Sequence, residues 1–180
     1  GTANGNPLSY RDGISLSWNG RRLASFNSTT RYTYNEDGIR VMKNFGGIKT
    51  RYLLDGTNII AQEVTNGDSL DYFYFFYDAS GNILQMNDTT DGWFKVGTAN
   101  PFRYRGYYYD NESGFYYLQS RYYDPVTGRF LNADAGEMSV IADSCSSNLF
   151  AYCLNNPVNM FDLTGESPAN IIGGIIGGVA

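Results

Sequence analysis

Apolar and polar side chains alternate in short runs along residues 8–124, and turn residues separate these runs. Residues 14–18 (ISLSW) alternate before Asn19-Gly20, and residues 22–26 and 30–34 repeat the same period of two. This period puts successive side chains on opposite faces of a strand, and Asn-Gly is a strong signal for a tight hairpin. The pattern therefore predicts an antiparallel meander of short strands. Further strands are predicted at residues 39–43, 50–54, 58–64, 70–77, 83–86, 102–109 and 115–123.

One short phrase recurs along the chain: an aromatic residue, then aspartate or asparagine, then glycine a few positions later. Aspartate and asparagine side chains bond the backbone two residues on, and glycine supplies the positive φ that closes a turn. A chain that repeats such turns builds an extended sheet from similar small units. The phrase occupies residues 34–38, 77–81, 109–114 and 123–128, with a shorter version at 52–56.

Aromatic residues dominate two segments, residues 72–77 and 107–109. The run at residues 70–77 is typical of a strand that is buried on both faces or that faces a large lumen. Both segments have the side chains of a sugar-binding or peptide-binding surface. They also suit aromatic cross-strand pairs, which stabilise a sheet without any ligand.

The texture of the sequence changes after residue 132. Strand alternation fades, and residues 147–154 (SNLFAYCL) are predicted to form two helical turns from a serine or asparagine cap. Pro157 would end that helix. The apolar run at residues 171–180 is shorter than the roughly 20 residues that a membrane span needs. Residues 169–180 resemble a linker or the opening of another module.

Composition excludes several classes of site. The 180 residues contain no histidine, so the chain offers neither a Ser-His-Asp nor a Cys-His site, and no metal or cofactor site is expected. The net charge of −5 argues against a nucleic-acid partner. The two cysteines, Cys145 and Cys153, are expected to be reduced thiols, with a disulfide as the alternative.

The C-terminal motifs, in this order, closely resemble the Rhs repeat-associated core. The likeness extends over about 65 residues, and the upstream phrases look like the tyrosine–aspartate (YD) repeats of the same family. The motifs are NPFRYRGYYYD at 100–110, GFYYLQSRYYDP at 114–125, GRFLNAD at 128–134, NLFAY at 148–152, NNP at 155–157 and DLTG at 162–165.

This resemblance implies a mainly β fold, in which an antiparallel hairpin meander of YD-type repeats forms part of a curved shell. A small irregular or helical core plug follows the meander. Residues 1–99 would be the YD-repeat sheet, 100–166 the core, and 167–180 the start of a linker to an effector that this sequence does not include. The implied partners are the chain's own C-terminal toxin, the rest of the shell and a bacterial secretion apparatus. The implied location is secreted or at the cell surface.

The resemblance also implies a site of self-cleavage. The family motif has Pro, four residues, Asp, two residues and Gly, which fits Pro157, Asp162 and Gly165. Glu166 stands where leucine is usual, and the implied cut lies between Glu166 and Ser167. The partner aspartate would be Asp134, after the Gly-Arg-Phe strand.

Two neighbouring carboxyl groups suit hydrolysis without histidine. Both cannot ionise comfortably, so the ionised one activates water and the protonated one polarises the scissile carbonyl. Asp134 and Asp162 are the candidates for these two roles in either order, with Asp143 as a competitor. Asp162 alternatively only closes a turn. Arg129 either steadies a carboxylate or forms a cross-strand ion pair.

Two functions follow from the sequence, and a third has little support. The first is a shell-and-core segment that cages a toxin and acts as a single-turnover aspartyl-type autoprotease. The second is a structural or cell-surface YD-repeat scaffold without autoproteolysis. A carbohydrate-acting enzyme would need another acidic constellation, and none stands out.

Overall fold

The computed structural model describes residues 1–2, 5–78, 83–88, 100–134, 148–166 and 168–170. Strands dominate these residues, and the predicted antiparallel meander is confirmed. Four sequence-based predictions fall outside the described residues. They concern Asp143, Cys145, Ser167 and the linker at 171–180.

The first part of the chain forms one eight-stranded antiparallel sheet in which each strand pairs with its neighbours in the chain. Its strands match the predicted runs to within a few residues, because both the alternation and the turn residues are local features. They are β1 (Leu16–Asn19), β2 (Arg22–Phe26), β3 (Thr30–Tyr34), β4 (Arg40–Phe45), β5 (Ile48–Asp55), β6 (Asn58–Asn66), β7 (Ser69–Tyr77) and β8 (Ile83–Asp88).

The second part forms a four-stranded antiparallel sheet and a separate two-stranded pair. The four-stranded sheet has the order β12-β11-β10-β9, so its strands too are neighbours in the chain. The strands are β9 (Tyr108–Asp110), β10 (Phe115–Leu118), β11 (Arg121–Asp124) and β12 (Arg129–Phe130), followed by β13 (Met160–Phe161) and β14 (Ala169–Asn170).

Two of the predicted strands differ from the structure. Residues 102–109 do not form one strand, because a 3₁₀ turn at Tyr104–Gly106 interrupts them before β9. Residues 115–123 form a hairpin of β10 and β11, because Gln119 adopts a positive φ of 58° and turns the chain. The sequence at this turn is Gln119-Ser120, which lacks the Asn-Gly or Asp-Gly signature of a hairpin.

The predicted helix at residues 147–154 is wrong for the part that the structure describes. Ala151 forms a β-bridge with Arg129, and the Phe130 N–H donates to the Phe150 carbonyl at 3.0 Å. Cys153 and Leu154 adopt positive φ values of 51° and 50°, which a right-handed helix does not allow. Packing against β12 therefore overrides the local helix signal.

The hydrophobic core lies between the eight-stranded and the four-stranded sheets. Phe26 packs edge-on against Phe115 with ring centroids 5.6 Å apart, and Tyr52 packs against Tyr108 at 5.3 Å. Such contacts join aromatic side chains from both sheets in one cluster. The meander and the core segment thus bury their apolar faces against each other.

One of the two interpretations of residues 70–77 predicted a strand that is buried on both faces. The structure does not show this burial for β7. Phe75 is buried and packs against Phe102 with centroids 4.9 Å apart. Phe76 is 50% exposed and Tyr74 is 41% exposed. Only one face of β7 contacts core side chains. The sequence did not reveal this alternation of buried and exposed positions, because aromatic residues occupy both faces.

A buried ion cluster also joins the two sheets. Arg40 of β4 is fully buried, and its Nη1 lies 2.5 Å from Oδ2 of Asp110 at the end of β9. Lys43 Nζ lies 3.0 Å from the other oxygen of Asp110 and 2.8 Å from Glu112. The Arg40 guanidinium carbon lies 4.3 Å from the ring centroid of Tyr117. A buried charge needs such partners, because leaving water costs several kcal/mol.

We expect the change Arg40→Met to lower the free energy of unfolding by about 3–5 kcal/mol, because it leaves Asp110 charged and buried without its main partner. Urea unfolding monitored by tyrosine fluorescence measures the loss. Arg31→Met is the matched control, since Arg31 is exposed on the neighbouring strand β3, and it should stay within about 0.5 kcal/mol of the wild type. Equal losses for the two variants would contradict this role of Arg40.

The same cluster predicts how stability depends on pH. Burial alone would raise the pKa of Asp110, but the charges of Arg40 and Lys43 outweigh burial and hold that pKa below its usual value. The Asp110 carboxylate therefore contributes fully to the free energy of unfolding above its unfolded-state pKa of about 3.9. This contribution is lost as the pH falls through the lower pKa of the folded state.

We therefore expect the difference in free energy of unfolding between the wild type and Asp110→Asn to be largest above about pH 4 and to narrow in stronger acid. Urea unfolding as a function of pH measures it. The control Asp68→Asn changes an exposed turn residue. Its free energy of unfolding should stay close to that of the wild type at every pH. A difference for Asp110→Asn that widens in acid would be the contrary result.

Candidate functional site

Asp162 lies buried directly after β13 and closes a turn. Its Oδ1 accepts the Gly165 N–H at 2.8 Å, and its own N–H donates to the Tyr107 hydroxyl at 3.1 Å. Residues 162–165 are called the Asp162 turn below. The carboxylate thus makes the turn-closing contact that one interpretation of this residue predicted.

Asp134 follows β12 on the other side of the site. Its N–H donates to the Leu149 carbonyl at 2.9 Å, and its side chain is 25% exposed. The pairing of β12 with the segment around Ala151 brings Leu149 to this position. Asp134 is therefore held through its backbone, while its carboxylate keeps some access to solvent.

Arg121 brings the two aspartates together. Its Nη2 lies 2.9 Å from Oδ2 of Asp134 and 3.6 Å from Oδ2 of Asp162, and the arginine side chain is only 5% exposed. Two carboxylates that are distant in the sequence thus share one guanidinium group. Burial lowers the pKa of Arg121, while the charges of Asp134 and Asp162 act against this shift.

The guanidinium of Arg121 is held in one orientation. It lies over the ring of Phe130, 3.7 Å from the centroid, and Nη1 donates to the Leu149 carbonyl at 3.2 Å. Its Nε donates to the carbonyl of Gly165. One planar group therefore contacts both acids and the backbone of the Asp162 turn.

The Asp162 turn also contacts the β10–β11 hairpin. The N–H and the hydroxyl of Ser120 both donate to the Thr164 carbonyl, at 3.0 and 2.7 Å. Gly165 has a φ of 76°, and a Cβ there would lie 2.7 Å from the Leu118 carbonyl oxygen and 2.8 Å from Ser120 Oγ. Position 165 therefore accommodates only glycine.

The arginine of the site is not the one named from the sequence. Arg129 is exposed on β12, where it stands opposite Asp124 in the strand register. The Asp124 carboxylate instead accepts a hydrogen bond from Arg11 at 2.8 Å. Arg121 could have been found as a charged residue inside the aromatic strand Arg121-Tyr122-Tyr123, since a buried arginine needs a carboxylate.

The remaining residues of the motif lie at the edge of this site. The Pro157 carbonyl accepts a hydrogen bond from Arg105 at 2.6 Å, and the Glu166 side chain is exposed. Tyr107, which the sequence analysis did not name, also bonds the Tyr152 hydroxyl at 3.0 Å. Burial raises the pKa of Tyr107 to about 12, so its hydroxyl is neutral at ordinary pH.

The part of the chain that the structure describes offers neither a metal cluster nor a membrane-spanning helix. No group of three or more Cys, Asp or Glu side chains there is arranged to hold a metal ion. None of the helices there is long and apolar enough to cross a membrane. Cys153 is buried, and burial raises the pKa of its thiol to about 11.

The aspartate pair has a cation between its two carboxylates, because Arg121 contacts both of them. The geometry provides a carboxylate with solvent access, a second acid and a cation, all beside one backbone turn.

Comparisons with known proteins show where the chain has relatives. No family model matches it. It is 33% identical over 172 residues to the tRNA nuclease WapA of Bacillus subtilis strain 168. This match covers 75% of this chain and 7% of that protein. It is 30% identical over 132 residues to the toxin protein Tse5 of Pseudomonas aeruginosa, covering 66% of this chain and 10% of that protein.

A solved structure has the same fold. The crystal structure of TcdB2-TccC3-TEV matches with a TM-score of 0.59 and 21% identity, over 89% of this chain and 10% of that one. The chain thus spans a tenth or less of the length of these three proteins.

We expect Gly165→Ala to destabilise the protein more than Gly128→Ala. Both glycines have positive φ, which costs an alanine about 1–2 kcal/mol, but no atom lies within 4 Å of a Cβ at Gly128. The backbone carbonyl of Leu118 stands in the way at Gly165. Urea unfolding of the two variants measures the difference, and equal losses would show that the close approach at Gly165 has no energetic consequence.

Proposed function

Because this chain belongs to the Rhs family of polymorphic toxins, we propose that it is a shell-and-core segment that encloses a toxin and frees it by aspartate-dependent self-cleavage. The observation that carries the proposal is the contact of Arg121 with Asp134, Asp162 and the Gly165 carbonyl. These groups surround the turn next to the bond between Glu166 and Ser167. The autoproteolysis would be a single-turnover reaction of the chain on itself.

The reaction is hydrolysis of one peptide bond. Asp134 is the better candidate for the base, because its side chain is 25% exposed and water can reach it. It takes a proton from water, and the water oxygen bonds to the carbonyl carbon of Glu166. The bond to the Ser167 nitrogen then breaks, and that nitrogen leaves with a proton from the acid pair. The products are a new carboxyl group at Glu166 and a new amino group at Ser167.

Arg121 has two supporting roles in this scheme. Its charge keeps the carboxylates close, which like charges alone would oppose. Its Nε–H holds the Gly165 carbonyl, so the chain enters the scissile bond in a fixed direction. The exposed side chain of Glu166 adds no third carboxylate to the interior of the site.

The caging role is supported by the way the sheets meet. The eight-stranded sheet presents aromatic side chains and the Arg40 charge to the core segment, so the core is bound by the wall that would enclose the toxin. The proposed partners are the chain's own toxin and the rest of the shell, and the proposed location is secreted or associated with a secretion apparatus. The nuclease activity in the name of WapA belongs to that protein.

A scaffold without catalysis is the second candidate, and one observation favours it. Arg121 neutralises both aspartates at once, and the Asp162 carboxylate closes a turn. An ion-paired, hydrogen-bonded acid can serve structure alone. In that case the same shell would hold its C-terminal extension uncut.

Mass spectrometry of the chain with a C-terminal extension distinguishes the two. We expect a fragment that begins at Ser167 to appear spontaneously and to be lost in Asp134→Asn and Asp162→Asn, because asparagine neither takes the proton from water nor supplies one. At position 162 asparagine keeps the oxygen that accepts the Gly165 N–H, and position 134 is held through its backbone N–H. Both variants should therefore remain folded by circular dichroism.

Asp68→Asn changes an exposed aspartate in a turn and should cut at the wild-type rate. An uncut wild-type chain over several days would reject self-cleavage in favour of the scaffold. A cut that survives in both aspartate variants would reject this site.

A further inference from the structure

The first hairpin of the eight-stranded sheet ends in a fixed tip. Asn19 pairs with Arg22 across β1 and β2, so Gly20 and Arg21 form the turn, with Gly20 at a φ of 61°. The Asn6 side chain, which is 1% exposed, donates to the Gly20 carbonyl at 2.9 Å. The tip is therefore held from below by a buried amide, and Arg21 projects from a defined backbone.

Arg21 reaches across to the core segment. Its Nη2 donates to the carbonyl of Ala133, the residue directly before Asp134. The same peptide unit carries the Asp134 N–H, which donates to the Leu149 carbonyl at 2.9 Å. The peptide that leads into Asp134 is thus fixed at its oxygen by the sheet and at its nitrogen by the core.

The side chain also brings a second positive charge to the aspartate pair. Burial lowers the pKa of Arg121, and the nearby charge of Arg21 acts in the same direction. Arg21 therefore lies near Arg121, the cation that contacts the carboxylates of both Asp134 and Asp162. Arg121 belongs to the core segment, whereas Arg21 comes from the sheet.

We infer that Arg21 is a positioning residue for the aspartate site, supplied by the sheet and acting through the Ala133–Asp134 peptide. This role rests on the proposed self-cleavage. Since Arg21 sits on the first hairpin, the geometry of Asp134 is complete only when that hairpin is docked on the core. Cleavage is then conditional on contact between shell and core, so a chain whose wall has not formed keeps its C-terminal extension attached.

Two other features of the molecule carry no new role. Tyr74 and Phe76 on β7 are exposed, and the Tyr74 ring stacks on that of Tyr72 with centroids 6.4 Å apart. The cluster of Arg40, Lys43 and Asp110 is enclosed between the sheets and explains stability. Arg21 differs from both because it contacts the backbone of a residue assigned to the reaction.

The rate of self-cleavage tests this inference in the chain with its C-terminal extension. Arg21→Ala should slow the appearance of the Ser167 fragment by about tenfold or more, which is the usual effect of losing a charge-assisted hydrogen bond. Arg21→Lys should recover part of the rate. Guanidinium ion at millimolar concentration should also restore part of the rate in Arg21→Ala but none in Asp134→Asn.

Arg31→Ala is the matched control, because it removes the same charge from an exposed position of the same sheet. It should cut at the wild-type rate. An Arg21→Ala chain that also cuts at the wild-type rate would overturn this inference and leave the proposed function standing. A slow Arg21→Ala chain that neither lysine nor guanidinium rescues would reduce Arg21 to a structural residue, whereas a wild-type chain that never cuts would overturn both proposals.

Discussion

The buried ion pair of Arg40 and Asp110 constrains how the two sheets pack against each other. Arg40 comes from β4 of the eight-stranded sheet and Asp110 from the end of β9, and their atoms lie 2.5 Å apart with no exposure to solvent. Neither charge is tolerable in the interior without the other. Tyrosine rings surround the guanidinium, and that of Tyr117 is 4.3 Å away. Each sheet thus supplies the charged side chain that neutralises a buried charge of the other.

The repeated aromatic–acid phrase serves different purposes in the two sheets. In the eight-stranded sheet, Asn35 accepts the Ile39 N–H at 2.8 Å and closes its own turn. In the four-stranded sheet, Asp124 accepts the Val126 N–H at 2.9 Å and also bonds Arg11, which lies in a 3₁₀ turn before β1. Asp110 forms the ion pair with Arg40. The acidic or amide residue of the phrase thus closes a turn in the eight-stranded sheet. In the four-stranded sheet it also contacts other parts of the chain.

The aspartate site follows from this arrangement, because its parts come from segments that only the folded chain brings together. Arg121 comes from β11, Asp134 from the residues after β12, and Asp162 from the turn after β13. Arg21 adds a contact from the eight-stranded sheet. The proposed self-cleavage would therefore depend on the completeness of the fold.

The strands and turns of the wall were largely determined by the sequence, since period-two alternation and residues such as Asn19-Gly20 act over a few neighbouring positions. The resemblance to the Rhs core also named Asp134 and Asp162 as candidates for the site. Only the tertiary structure decided that Arg121 rather than the exposed Arg129 joins these acids, and that the segment around Ala151 pairs with β12 and does not form a helix. The reason is physical: a local pattern fixes which face a side chain takes, whereas its partner is chosen by packing between segments that are far apart in the chain.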